Sequence, residues 1–109
     1  MSPVTKKIAT AALVVLVIAF VAAAQGNKPG ADLYKKDCAM CHGADGSGNS
    51  PMGKKMGVRN LTSEEVQKQT DAQLTQIIDK GKGKMPAYGQ KLKPEQLKEL
   101  VAYIRGMKK

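Results

Sequence analysis

Both cysteines and the sole histidine of the 109-residue chain fall within one pentapeptide, Cys38-Ala39-Met40-Cys41-His42. Two thiols three positions apart can add to the two vinyl groups on one side of a haem. The next residue then places an imidazole beneath the iron. The chemistry depends on that adjacency, so Cys-x-x-Cys-His reads as a site for one covalently attached haem c. Other uses of these residues fit less well. A thioredoxin-like redox pair needs a strand–helix setting, and no such setting is evident. A structural zinc site takes four ligands, and only three Cys and His residues exist. A Cys38–Cys41 disulfide would close too small a loop to stabilise the fold.

Haem iron bound by His42 has a sixth position to fill. With no second histidine, the candidates are Met52, Met56 and Met85, since Met40 lies between the cysteines and Met107 near the chain end. Met85 is the strongest. Pro86 pushes it into an extended conformation, so it does not read as a helix-core residue. The surrounding Gly81–Gly89 segment also shows no apolar periodicity that would give it another home. Two plainer readings remain at this point, a surface methionine in a loop and a methionine packed on the haem edge. Met52 and Met56 are expected to line or flank the haem.

Helices must position these groups. Ala31–Cys38 reads as a first short helix after a polar linker, Gln25–Pro29. Gly43–Gly57 holds five glycines with Asn49, Ser50 and Pro51, and reads as loop throughout. Thr62 with Glu65, and Thr70 with Gln73, have capping-box spacing. The second opens a helix whose Leu74, Ile77 and Ile78 share a face and which Gly81 stops. Lys82–Gln90 is loop. Pro94 then starts a last helix carrying Leu97, Leu100, Val101 and Ile104 at i, i+3, i+4 and i+7, and Gly106 ends it. No stretch alternates with period two, so the domain is expected to be all-α.

Met1–Lys7 is short and basic, Ile8–Ala24 is almost wholly apolar, and Ala22-Ala23-Ala24 resembles a cleavage site. Residues 1–24 are therefore expected to be a signal peptide, or an uncleaved anchor, and 25–109 one domain. The apolar run of 17 residues is at the short end for spanning a bilayer. That domain has no Phe or Trp and only twelve Leu, Ile and Val residues, a core thin enough to need a cofactor. The net charge is +9, or +7 without Lys6 and Lys7. Two arginines in an exported chain argue against nucleic acid. Lys54 and Lys55, with Lys80, Lys82, Lys84, Lys91 and Lys93 around Met85, suit steering onto acidic redox partners. A solvated face is the plainer alternative.

These motifs resemble those of the class I monohaem cytochromes c, closest to the soluble photosynthetic-type (c-six-like) branch and its bacterial relatives. Cys38–Gly48 resembles the family's haem-attachment turn and following loop, and Lys84–Leu92 its methionine-ligand loop. Gly30 with Tyr34, facing Leu100 and Tyr103, resembles its crossing of first and last helices. The resemblance implies four to five short helices around one covalent haem, thioether bonds at Cys38 and Cys41, and His42 and Met85 as axial ligands. It also places Leu61, Tyr88, Pro51 and Arg59 around the haem. Pro51 would orient the His42 ring through its carbonyl, although its distance from His42 departs from the commonest pattern. Arg59 would reach a propionate.

With both axial positions filled, the implied activity is single-electron carriage between extracytoplasmic or membrane redox partners, not enzymatic turnover. The expected location is the periplasm, or a thylakoid lumen in a photosynthetic source, and a monomer is expected. Two alternatives are a membrane-tethered haem subunit of a redox complex and a haem domain whose methionine leaves to admit peroxide or a gas.

Overall fold

The computed structural model describes residues 28–109. The expected signal peptide or anchor, the boundary after Ala24 and the first part of the linker lie outside the described residues. Six helical segments follow one another among the described residues: α1 Lys28–Asp37, α2 Ala39–His42, α3 Pro51–Met56, α4 Glu64–Gln67, α5 Asp71–Lys80 and α6 Pro94–Arg105. The only β feature among them is an isolated bridge between Lys82 and Met85.

Helix α1 begins three residues before the expected Ala31, taking in Lys28 and Pro29 from the presumed linker. Proline is tolerated in a first turn, where its missing N–H would have no partner. Helix α3 lies inside the glycine-rich stretch expected to be loop. Ser50 caps it, its hydroxyl accepting from Gly53 N at 2.9 Å, Pro51 occupies the first turn, and Gly57 ends it with φ of 65°. Helix α4 is capped by Ser63, not Thr62. The Thr62 amide and hydroxyl both turn to Asn60 Oδ1, at 2.9 and 2.7 Å. The Thr70–Gln73 capping box forms as expected.

Helices α1 and α6 cross closely at Gly30, whose absent side chain lets the Glu99 carbonyl and Tyr103 Cβ approach. The Tyr34 and Tyr103 rings meet at a centroid distance of 5.2 Å. Around the crossing lie Val66, Leu74, Ile78, Leu92, Leu97, Leu100, Val101 and Ile104, all buried. Leu74 and Ile78 supply the inward face of α5. Ile77 is half-buried instead, on a shallow surface depression with Gln73 and Lys82.

Arg105 ties the end of α6 to the turn between α4 and α5. Its Nε pairs with Asp71 at 2.9 Å and its Nη1 donates to the Gln67 carbonyl at 2.7 Å, while Nη2 donates to the Gln69 carbonyl. These carbonyls, at and just past the end of α4, find no helical partner of their own. Charged hydrogen bonds of this kind are individually worth roughly 1.5–3 kcal/mol. Arg105→Met, which keeps much of the stem's packing, is expected to lower unfolding free energy by about 2 kcal/mol. Denaturant titration checks this, and a change under about 0.5 kcal/mol would remove the bracing role.

Candidate cofactor site

The cysteine–histidine pentapeptide occupies the break between α1 and α2. Cys38 interrupts the helix, yet its N–H still donates to the Tyr34 carbonyl at 2.9 Å and its carbonyl accepts from His42 N at 2.9 Å. The turn therefore inherits its direction from the buried α1–α6 crossing. Three carbonyls at its end are engaged from outside. Ser50 Oγ donates to Cys41 O at 2.7 Å, Gly48 N to His42 O at 2.7 Å, and the Tyr34 hydroxyl to Gly43 O at 2.6 Å. Burial raises the Tyr34 hydroxyl pKa, keeping it a neutral donor.

Both thiols are free and half-buried. Burial, with a contribution from the Asp37 carboxylate and then Cys41, pushes the Cys38 thiol up to about 11. The His42 Nδ1 lies 3.0 Å from the Arg59 carbonyl. A carbonyl can only accept, so Nδ1 carries the proton and Nε2 keeps a free lone pair, the arrangement a metal-ligating imidazole needs. Burial lowers the His42 pKa, partly offset by the Arg59 carbonyl, which favours the neutral, ligating form.

That contact corrects the role expected for Pro51. The ring is oriented by the Arg59 carbonyl, while Pro51 is an exposed first-turn residue of α3. A short helix within the presumed loop carries Pro51 into its own first turn. The Arg59 side chain pairs with Glu65 at 2.7 Å in an exposed ion pair, while its main-chain carbonyl meets the His42 ring. Leu61 is half-buried against the core, its N–H donating to Gly46 O at 2.7 Å.

Met85 sits in a tight hairpin in which Lys82 and Met85 exchange main-chain hydrogen bonds of 3.1 and 3.0 Å. Gly81 makes the turn possible. Its φ is 75°, and a Cβ there would lie 2.6 Å from the Met85 carbonyl. Farther on, Tyr88 N donates to Ile78 O at 2.9 Å and Gly89 N to Asp79 O at 3.0 Å. The loop thus satisfies carbonyls that α5 leaves open at its C-terminus. Met85 is half-buried against the core, as is Tyr88. Met40 and Met52 are 74% and 41% exposed, so neither has the protected setting of Met85. Two thiols, an imidazole with one nitrogen free and a sheltered thioether form a donor set that fits covalent haem c.

Asp37 was not foreseen. Its Oδ1 accepts from Lys91 Nζ at 2.7 Å, and its carbonyl accepts from the Tyr88 hydroxyl at 3.1 Å. Partners 54 and 51 residues apart leave no local signal. Lys91, expected among the steering lysines, is engaged here. The Asp37 hydrogen bond and charge raise its pKa above 10.5. A raised lysine pKa contributes stability that is complete below 10.5 and is lost as pH rises through the folded-state value. The stability advantage of wild type over Lys91→Met is therefore expected to persist to about pH 10 and to shrink above it. Thermal unfolding of both proteins across that range checks this; a pH-independent difference would contradict it.

Residues 25–104 match the family described as cytochrome c oxidase, cbb3-type, subunit III. The chain is 39% identical over 88 residues to the cbb3-type oxidase subunit FixP of Azorhizobium caulinodans, a match covering 75% of this chain and 29% of that protein. It therefore spans less than a third of that relative. It is also 32% identical over 80 residues to cytochrome c6 of Bryopsis maxima, covering 69% of this chain and 84% of the other. Among solved structures it resembles the KustC0563 c-type cytochrome, with 36% identity, a TM-score of 0.68, and coverage of 73% of this chain and 98% of that one.

Proposed function

Since the chain belongs to the cytochrome c family described by the cbb3-type subunit III, with a covalent haem c, we propose that Cys38 and Cys41 hold the haem and that His42 and Met85 bind its iron. The protein takes one electron from a reduced partner and passes it to an oxidised one. Bound haem supplies the reversible Fe(III)/Fe(II) couple. The polypeptide supplies everything that keeps the couple reversible. The Arg59 carbonyl fixes the His42 ring, and the capped end of α5 fixes the Met85 loop. With His42 and Met85 both as ligands, the iron would keep no position for a substrate, which favours carriage over turnover.

The observation that carries this reading is the free Nε2 of His42, fixed by the 3.0 Å contact of Nδ1 to Arg59 O immediately beside the two thiols. Optical spectra of the purified protein, oxidised and reduced, test it. Sharp reduced bands of a low-spin haem c and a sulfur-to-iron band when oxidised are expected. A colourless, folded product from a host that matures c-type cytochromes would end the proposal.

Apart from Lys91, which is paired with Asp37, the lysines around the Met85 loop and α3 are exposed, which supports electrostatic docking onto acidic partners. Electron-transfer rates with an acidic partner are expected to fall several-fold between low and physiological ionic strength. A flat response would remove the steering idea.

A second reading, a tethered subunit exposed to the periplasm, is supported by the likeness to FixP and by the apolar run Ile8–Ala24. Mass spectrometry of the mature N-terminus separates it from a freely diffusing, signal-cleaved carrier.

A further inference from the structure

Asp37 is placed where its charge is costly for folding. It is the last residue of α1, and a negative charge at a helix C-terminus opposes the helix dipole. Its side chain is only 5% exposed, and Oδ2 is buried with no hydrogen-bond donor reaching it among the described residues. The α1 turn and the Tyr88 contact use only its main chain, so neither needs the carboxylate. Among the described residues the carboxylate has one partner, Lys91 at 2.7 Å, whose side chain is 54% exposed and screened by water. The pair is therefore unequal. The negative end acts through the protein interior, while the positive end is largely damped by solvent.

Asp37 also directly precedes Cys38, so consecutive Cα atoms put it about 3.8 Å along the chain from an attachment residue. We propose that the buried Asp37 carboxylate, held by Lys91, biases the redox equilibrium of the protein toward the oxidised state. This rests on the reading above that Cys38 carries haem c. Oxidised iron bears one more positive charge than reduced iron, and a fixed negative charge behind the attachment turn stabilises the difference. Asp37 acts here as a positioning charge.

Equilibrium redox titration of the purified holoprotein tests the idea, with the oxidised-to-reduced ratio read at the wild-type midpoint. Asp37→Asn keeps the shape and removes the charge; its ratio is expected to fall roughly three- to tenfold. Lys91→Met unmasks the carboxylate, and the ratio is expected to rise, by about twofold because the lysine is already screened. A loss of packing or wetting of the site would move both variants the same way. Opposite shifts, with the sulfur-to-iron band retained in each, support the proposal. Shifts of one sign, or none, overturn it while leaving the haem reading intact. If Asp37→Asn fails to mature, the exposed Lys91 variant decides by itself: a rise supports the proposal, and no change or a fall overturns it. A wild-type protein without haem spectra would instead defeat the functional reading on which the proposal rests.

Discussion

Met85→Ala is expected to give a folded, coloured protein that has lost its sulfur-to-iron band and whose midpoint potential is lower by on the order of 0.1 V or more. A thioether donor favours the reduced state, so its removal withdraws that preference. The loop itself should persist, because the Lys82–Met85, Tyr88–Ile78 and Gly89–Asp79 bonds are all main-chain contacts. An opened ligand position should also admit added imidazole, which the wild-type protein is expected to resist. Spectra and redox titration read all three effects. Retention of the sulfur-to-iron band would transfer the axial role to Met52 or Met56.

The largest effect on stability is expected from Gly30→Val. A Cβ at this position falls against the Glu99 carbonyl and 3.1 Å from Tyr103 Cβ, both on the facing helix. Neither neighbour is a flexible tip that can swing away, so α1 and α6 must separate. Overpacking of a tight interface commonly costs 1–3 kcal/mol, and valine brings two methyl groups beyond the first clashing atom. A loss of about 3 kcal/mol is expected in chemical denaturation. A loss under about 1 kcal/mol would mean that the crossing yields easily and does not set the direction of the attachment turn.

The chemistry was far more legible in the sequence than the scaffolding around it. The candidate donors Cys38, Cys41 and His42 stand out by adjacency, and the candidate Met85 by the proline that follows it. The Thr70–Gln73 box and the four-residue rhythm of Leu97, Leu100, Val101 and Ile104 located α5 and α6, because both signals are local. Helix α3 was missed although Ser50-Pro51 is a cap followed by a first-turn proline; the glycine count masked a six-residue helix. The support for His42 could not be read in advance, since any residue type can offer a carbonyl and the one used belongs to Arg59. Asp37 with Lys91 and Tyr88 was hidden for another reason. Their contacts exist only after the Met85 loop has folded back to the end of α1.

The pairing of α1 with α6 also has a consequence in time. The two helices stand at opposite ends of the described chain, so a growing polypeptide lacks the partner for Gly30 and Tyr34 until synthesis has passed Leu100 and Tyr103. Long-range closure of this kind comes late, after a large loop entropy has been overcome. Until α6 is in place, the end of α1 that leads into the Cys38 turn lacks the packing that fixes its direction.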